Sequence, residues 1–331
     1  MTSFLLVRLG ALGDIVHAMP VVAALRRAHP DARIGWLVHP RFAPLLEVVE
    51  GLDAIHPLDR RSGARTLADV RRQRYGACLD LQGLLKSAAI ARLSGATRVI
   101  GFERRWLREP AAVLAYGETG GDGRGHIVDK NLSLLRCVGI EHPAIAFPLR
   151  LPDTPVVPCT REILRVGAEA PFALLNPGAA WPNKRWPAER FGTFARQLRE
   201  RTGLPSAVLW GPDEATLAAA VVRASDGAAA MAPQTTMVEM LSLAKAARIV
   251  VSGDTGPLHL AAAAGTPVVG LYGPTPPQRN GPWDPRDVTV SAHDQCACVF
   301  KRQCTAPTWC LEAVTVDAVM AAVERRLGVP A

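Results

Sequence analysis

The segment with the most chemical potential is Ser252-Gly-Asp-Thr-Gly256, which separates a short apolar run from an Ala-rich run. Residues 249–251 and 268–271 have the composition of buried parallel strands, and residues 258–264 favour a helix. Backbone N–H groups at the start of such a helix bind anions such as a diphosphate. Asp254 would then bind hydroxyls. Alternatively, the segment is an ordinary polar turn in which Asp254 only caps the helix.

A second candidate loop, residues 176–187, lies between another predicted strand and helix. It carries Lys184 and Arg185 just before the helix, and a lysine ammonium there suits contact with phosphate. A surface turn whose tryptophans merely pack is the alternative. The next predicted strand is followed by Glu214, which would accept a hydrogen bond from a ribose hydroxyl or favour the following helix start.

The N-terminal part has the same strand, turn and helix order. Residues 4–7 form an apolar strand, a Gly-containing turn follows, and Asp14 opens a helical pattern that runs to about residue 29. Ligands of open α/β sheets bind at such strand ends. The G-x-G-x-x-G fingerprint is incomplete, so dinucleotide binding is not indicated. Pro20 should kink or restart the helix. The alternative role of Asp14 is an N-cap.

Basic segments follow two further predicted strands of this part. Arg60 and Arg61 lie in one loop and Arg108 in another. Both loops should lie on the same sheet edge as Asp14, where an acidic acceptor could bind. A solvated basic rim is the alternative for each arginine.

The elements that must position these residues alternate between strand and helix, which predicts parallel sheets covered by helices on both faces. A proline-rich stretch at about 141–158 predicts a linker. We therefore expect two Rossmann-like domains, at 1–150 and 151–331, that face each other across a cleft. Such clefts are preferred ligand sites.

Composition supports this expectation. The 331 residues, 49% of them hydrophobic and 21% charged, exceed what one core usually fills. The net charge of +8 favours anionic partners. Few aromatic residues and the lack of an RNP-like strand or zinc finger argue against nucleic acid. With no signal peptide or spanning run, we expect a cytoplasmic protein, peripheral at an anionic inner membrane.

Four of the seven cysteines fall in one short loop, at Cys296, Cys298, Cys304 and Cys310. Four thiolates so close suit a structural zinc or iron site, although C-x-C is tighter than the usual chelate. Reduced thiols and disulfides are the alternatives. Catalysis is not expected, because no base is suggested beside them.

Five motifs occur in an order that resembles glycosyltransferase family 9, the ADP-heptose:lipopolysaccharide heptosyltransferases, over nearly the whole chain. They are Gly13-Asp14 with His17 and Pro20, Asp80-Leu-Gln-Gly-Leu-Leu-Lys-Ser87, Arg108-Glu-Pro110, Asn183-Lys-Arg-Trp-Pro187 and Ser252-Gly-Asp-Thr-Gly-Pro-Leu-His259. The second and third are similar to those of type I enzymes, which act on Kdo. The cysteine loop is similar to one in type II enzymes and in protein heptosyltransferases.

The resemblance implies a GT-B fold and an inverting transfer that needs no metal or other cofactor for catalysis. The donor would be ADP-heptose and the acceptor the anionic inner core of lipopolysaccharide, Kdo or heptose. Asp14 would be the general base and Lys184 would neutralise the leaving diphosphate. The remaining implied roles are heptose binding by Asp254, phosphate binding by Thr255, Gly256 and His259, ribose contact by Glu214, and acceptor binding by Arg60, Arg61 and Arg108.

One departure from the type I pattern falls beside the lysine. Ala179 and Ala180 stand where those enzymes carry hydroxyl residues, so two donor contacts are missing. Three alternative functions remain open: a GT-B transferase with another nucleotide sugar, one with a protein acceptor, and a non-catalytic nucleotide-binding protein of the same fold.

Overall fold

The computed structural model describes residues 2–328. Its contacts divide the chain between Arg150 and Leu151 into two compact units, each built on one six-stranded sheet. The strands of the first unit, β1 to β6, are Ser3–Val7, Arg33–Val38, Ala54–Pro57, Ala77–Asp80, Arg98–Phe102 and Glu118–Gly120. Its helices, α1 to α6, are Leu12–Val16, Met19–Ala28, Ala43–Leu46, Gly63–Arg72, Leu85–Leu93 and Ile127–Ser133.

The second unit repeats this plan. Its strands, β7 to β12, are Ala173–Asn176, Ser206–Val208, Ala229–Met231, Ile249–Gly253, Val268–Tyr272 and Val288–Ser291. Its helices, α7 to α13, are Val156–Ile163, Ala188–Thr202, Ala215–Ala224, Met237–Ala246, Gly256–Ala263, Pro277–Asn280 and Val316–Leu327. Short 3₁₀ helices of the chain are Pro40–Phe42, Arg104–Trp106, Pro110–Ala115, Leu134–Val138, Pro182–Lys184, His293–Gln295 and Cys310–Ala313.

Both sheets are parallel and have the same strand order. The orders are β3-β2-β1-β4-β5-β6 and β12-β11-β10-β7-β8-β9, and numbered within each unit both read 3-2-1-4-5-6. This is the order of a Rossmann sheet, in which the winding reverses between the first and fourth strands. Ligands bind outside the carboxyl ends of the strands at that reversal. The loops after β1 and β4, and after β7 and β10, occupy these positions.

The apolar runs fold as strands because both of their faces are covered. Every residue of β10 and of β11 is buried, as their composition predicts. The ring of Trp186, 1% exposed, packs edge-on against Phe191 of α8, and its Nε1 donates to the carbonyl of Val314 at 2.9 Å. This packing fixes the chain just after Lys184. The predicted α/β class and parallel sheets are confirmed.

Some local predictions change. The helical pattern after Asp14 is divided into α1 and α2, and Pro20 lies in the first turn of α2, where its missing N–H leaves no helical bond unmade. The proline-rich stretch includes the first turn of α7, which contains Pro158. Strands β6, β9 and β12 are not among the predicted strands. Strands β6 and β9 have three residues each, too few to show alternation, and in β12 only Val288 is buried. Among residues 2–328 no helix is both long enough and apolar enough to cross a membrane.

Candidate functional site

Asp254 is the centre of a buried polar cluster at the end of β10. Its backbone N–H donates to the carbonyl of Leu271 at 3.1 Å, which holds it beside the end of β11. The side chain is 2% exposed. Its Oδ2 accepts from Lys184 Nζ and Thr275 Oγ1, each at 2.5 Å. Its Oδ1 lies 2.7 Å from Asn280 Nδ2 and 3.1 Å from His259 Nε2. We call Lys184, Asp254, His259, Thr275 and Asn280 the Asp254 cluster.

The cluster keeps Asp254 ionised. Burial by itself raises the pKa of Asp254, but the hydrogen bond and charge of His259 and the charge of Lys184 outweigh it and hold that pKa well below its usual range. A carboxylate only accepts hydrogen bonds, so His259 must carry its proton on Nε2. Four donors occupy the two oxygens of Asp254. The direct effect of this carboxylate is therefore to hold Lys184 and His259 in place.

Lys184 is fixed from three sides. Its Nζ donates to the side chain of Asp254 and to the Asp254 carbonyl, the latter at 3.2 Å. The same atom lies 4.9 Å from the centre of the Trp181 ring, a favourable cation–π geometry. A Cβ atom on Gly253 would lie 2.5 Å from the backbone oxygen of Lys184. Glycine at 253 therefore permits this approach of the two loops.

The other predicted residues of the second unit surround this cluster. Thr255 is the N-cap of α11, and its Oγ1 accepts from Asn176 Nδ2 at 3.0 Å. Gly256 is the first residue of that helix and His259 lies one turn along it. The loops after β7 and β10 thus meet at the winding reversal, as the strand order requires.

Glu214 lies beside the loop that follows β7. Its Oε2 accepts from the backbone N–H of Gly211 at 3.0 Å, and its Oε1 is 3.8 Å from Arg185 Nη2. A Cβ atom on Gly178 would lie 2.2 Å from Glu214 Oε2, so this turn passes directly against the carboxylate. The structure therefore brings Glu214 to the same edge of the sheet as Lys184.

Asp14 occupies the corresponding edge of the first unit, in α1. Its Oδ1 lies 2.7 Å from Nη2 of Arg8, and its Oδ2 accepts from the backbone N–H of Ala11 at 3.2 Å. Its side chain is 40% exposed. Asp14 is therefore an accessible carboxylate held at both oxygens, one of them by a buried cation.

The predicted acceptor arginines lie on either side of Asp14 along this edge. Arg60 and Arg61 follow β3, and Arg108 follows β5, each two strands from β1, which is roughly 10 Å at the usual strand spacing. All three are exposed. The loop with Arg60 and Arg61 is shaped by Asp59, whose Oδ1 accepts from the backbone N–H of Arg61 at 2.9 Å. Their side chains are therefore accessible to a ligand from solvent.

The motif from Asp80 to Ser87 is structural. Asp80 is fully buried, and its Oδ2 accepts from Ser87 Oγ and Tyr116 Oη, each at 2.8 Å. Its Oδ1 accepts from the backbone N–H groups of Gln82 and Gly83. Burial raises the pKa of Asp80. This carboxyl shapes the turn after β4.

The four-cysteine loop does not form the predicted metal site. All four are free thiols, and they lie near enough to one another to affect each other's pKa. Hydrogen bonds from the Cys304 thiol and the Thr305 backbone lower the pKa of Cys298 to about 7. Within residues 2–328 no group of three or more His, Cys, Asp or Glu side chains is arranged to hold a metal ion. The predicted zinc or iron ion at this loop is therefore unsupported.

The cysteine loop instead supports the loop with Lys184. The carbonyl of Lys301 accepts from Asn183 Nδ2 at 3.0 Å, and Arg302 Nη2 donates to the carbonyl of Ala180 at 3.2 Å. The backbone N–H of Phe300 donates to the carbonyl of Pro274 at 2.8 Å. The loop thus links the two segments on either side of the Asp254 cluster.

Sequence reasoning missed four residues of these sites: Arg8, Trp181, Thr275 and Asn280. Thr275 follows β11, the strand next to β10, so its position after a strand was the available signal. Arg8 directly follows β1 and carried the same signal, whereas Asn280, at the end of α12, gave none.

Comparison with known proteins gives a consistent result. A family model described as glycosyltransferase family 9 (heptosyltransferase) matches residues 64–310. Lipopolysaccharide heptosyltransferase 1 of Pseudomonas aeruginosa is 29% identical over 315 residues, which cover 91% of this chain and 87% of that relative.

Two solved structures share the fold. The E. coli heptosyltransferase WaaC with ADP superposes with a TM-score of 0.75 at 22% identity, covering 99% of this chain and 100% of that one. The same enzyme with ADP-2-deoxy-2-fluoro heptose gives a TM-score of 0.72 at 24% identity, covering 98% and 99%. The predicted GT-B fold is confirmed by these matches.

Proposed function

Because the chain belongs to glycosyltransferase family 9, the heptosyltransferases, we propose that it transfers heptose from ADP-heptose to Kdo or heptose of the lipopolysaccharide inner core. The name of the Pseudomonas relative and the ADP-heptose analogue bound to WaaC support this donor and acceptor. The observation that carries the proposal is the ammonium of Lys184, fixed by Asp254 beside the start of α11.

Lys184 and α11 would stabilise the leaving ADP. As the bond between C1 of heptose and the phosphate oxygen breaks, its electron pair and the negative charge pass to the diphosphate. The fixed ammonium of Lys184 and the N-terminus of α11, with Thr255 and Gly256, would stabilise this charge without rearranging. One such preorganised donor is commonly worth about 3 kcal/mol in the transition state.

The other residues of the second unit would bind the rest of the donor. Glu214 would accept from a ribose hydroxyl, for which the Arg185 partner at 3.8 Å leaves room. Asp254 and His259 would bind heptose hydroxyls. Since four protein donors already occupy Asp254, a sugar hydroxyl would have to replace one of them or share an oxygen.

Asp14 would be the general base. The acceptor hydroxyl gives its proton to Asp14 while its oxygen forms the new bond to C1 from the face opposite the leaving phosphate, so the anomeric centre inverts. Positioned bases contribute roughly 10²- to 10⁴-fold. The first unit, 1–150, would bind the acceptor and the second, 151–331, the donor. Arg60, Arg61 and Arg108 would attract the anionic core sugars.

A lipid-anchored acceptor requires approach to a membrane, so we place the protein at the cytoplasmic face of the inner membrane. Leu85 of α5 is 51% exposed, and Leu114 of the 3₁₀ helix that packs on α5 is 87% exposed. Exposed Lys86 and Arg108 flank them. Apolar side chains with a basic rim suit an anionic bilayer.

Vesicle sedimentation tests this placement. Wild-type protein should sediment with phosphatidylglycerol-rich vesicles, and Leu114→Asp should reduce that fraction. The matched control is Ile163→Asp, because Ile163 is 41% exposed in the second unit. Equal binding by the Leu114 variant and wild type would reject this surface.

The function is tested by assaying transfer from ADP-heptose to Kdo-lipid A and to a heptosylated acceptor, beside UDP- and GDP-sugars and acceptor peptides. We expect ADP-heptose with a lipopolysaccharide acceptor to be the active pair. Asp14→Asn should bind ADP normally and lose transfer. Preference for a UDP-sugar would reject the donor, peptide modification would reject the acceptor, and normal turnover by Asp14→Asn would reject the base.

A further inference from the structure

Arg8 is a buried cation at the end of β1. Its side chain is 8% exposed, and its backbone continues the sheet, with its N–H donating to the carbonyl of Leu37 at 3.2 Å. The fully buried Trp36 donates from Nε1 to the carbonyl of Arg8 at 3.1 Å. The backbone of Arg8 is therefore fixed to β2.

The guanidinium reaches two acceptors through two different nitrogens. Nη1 donates to the carbonyl of Leu81, directly after β4, at 2.8 Å. Nη2 lies 2.7 Å from Oδ1 of Asp14. Arg8 thus spans the winding reversal between β1 and β4 and directs its second amino group at the proposed base. Its Nε is buried and makes no hydrogen bond with the described part of the chain.

We infer that Arg8 is a positioning residue for the transfer reaction, whose guanidinium holds Asp14 in its proton-accepting orientation. This inference rests on the proposed function, in which Asp14 takes the acceptor proton. Asp14 lies on a helix of only five residues and is 40% exposed, so its side chain has few other restraints. With Oδ1 fixed by Arg8 and Oδ2 by Ala11, each oxygen keeps a lone pair for the acceptor hydroxyl.

This positioning role requires the planar guanidinium of an arginine rather than any positive charge. Arginine presents several N–H donors in one rigid plane, whereas lysine offers a point charge on a flexible stem. A lysine at position 8 could approach Asp14 or the Leu81 carbonyl. It would not hold the Asp14 carboxylate through one rigid, planar group that is also bonded to the Leu81 carbonyl.

The closing experiment compares Arg8→Gln and Arg8→Lys in the full chain. Because a misplacement of about 1 Å can cost about 10²-fold, we expect kcat to fall about 10²-fold in Arg8→Gln and about tenfold in Arg8→Lys. The KM for ADP-heptose should change less than about twofold, since the missing interaction affects only the transition state. If Arg8→Gln does not fold, the kcat of Arg8→Lys becomes the test. A wild-type kcat in Arg8→Lys would then overturn the inference.

Arg26→Gln is the matched structural control. Arg26 also lies in the first unit, donates to the carbonyls of Pro30, Ala32 and Gly51, and pairs with Asp53. It should keep wild-type kcat. An equal loss of kcat in Arg26→Gln would assign the effect to general destabilisation and overturn the inference.

A double variant separates this inference from the proposed function. Loss of a general base worth roughly 10²- to 10⁴-fold leaves a residual kcat in Asp14→Asn. If Arg8 acts through Asp14, adding Arg8→Gln should not lower that residual kcat further. A further drop of similar size would overturn the positioning role. Normal turnover in Asp14→Asn would instead refute the base itself, whereas an inactive Asp14→Asn beside a fully active Arg8→Gln would refute only the role of Arg8.

Discussion

The Nζ atom of Lys184 lies 2.5 Å from Oδ2 of Asp254, although 69 residues separate them along the chain. Their side chains are 15% and 2% exposed. Because both side chains are largely removed from water, each charge needs the other to stabilise it. The two loops that carry the pair follow the adjacent strands β7 and β10.

Removal of the Lys184 ammonium should slow chemistry. Lys184→Met is expected to lower kcat by about 10²- to 10³-fold, because the diphosphate loses its fixed counter-charge. Steady-state kinetics with ADP-heptose measures this. Lys245→Met is the control, since Lys245 Nζ donates to the carbonyl of Ala264 at 2.8 Å, away from the Asp254 cluster. Near-normal kcat in Lys184→Met would contradict the leaving-group role.

Asp254→Asn should destabilise the protein in a pH-dependent way. Breaking a buried ion pair typically costs about 3–5 kcal/mol. Since the pKa of Asp254 is lowered on folding, its ionised form stabilises the native state above the ordinary aspartate pKa of about 3.9, and this contribution is lost as pH falls below that value. The difference in unfolding free energy between wild type and variant should be largest near neutrality and shrink in acid.

Urea denaturation at a series of pH values measures that difference. Asp69→Asn is the control, because Asp69 pairs with Arg72 on the exposed face of α4. Its unfolding free energy should match wild type near neutral pH. A difference between Asp254→Asn and wild type that does not vary with pH would show that the lowered pKa makes no contribution.

Gly253→Ala should disturb Lys184 without touching any charge. The added Cβ would lie 2.5 Å from the Lys184 backbone oxygen, so the loop must move. We expect kcat to fall about 10- to 10²-fold, as for other small displacements of catalytic groups. Gly167→Ala is the control, because a Cβ there has open space around it. Equal kcat in the two variants would show that the loop adapts.

Chelation should leave transfer unaffected. In the proposed function, Lys184 and the start of α11 would supply the positive charge that a metal provides in other transferases, and within residues 2–328 no three His, Cys, Asp or Glu side chains are arranged to hold a metal ion. Activity after dialysis against EDTA should equal that of untreated protein. A loss that zinc or iron restores would reinstate a metal at the four-cysteine loop.

Much of the fold could be predicted because it depends on short-range patterns. Residues 249–251 are apolar on both faces and β-branched, which favours a covered parallel strand, and this placed the polar segment after them at a strand end. The same logic indicated Asp14 and Lys184 as candidates. The fold class followed from repetition of this pattern, whereas strands as short as β9 contain too few residues to show it.

The sequence by itself determined the α/β class, the loops at the strand ends and the types of residue in them. Only the tertiary structure decided which of these residues meet: Arg8 with Asp14, and Asp254 with Lys184, Thr275 and Asn280. The physical reason is the winding of a parallel sheet, which places loops far apart in sequence at one edge. Spacing along the chain therefore carries no record of the partners of Asp254. Arg8 and Asp14 lie in one loop, and there only the folded turn decides that their side chains meet.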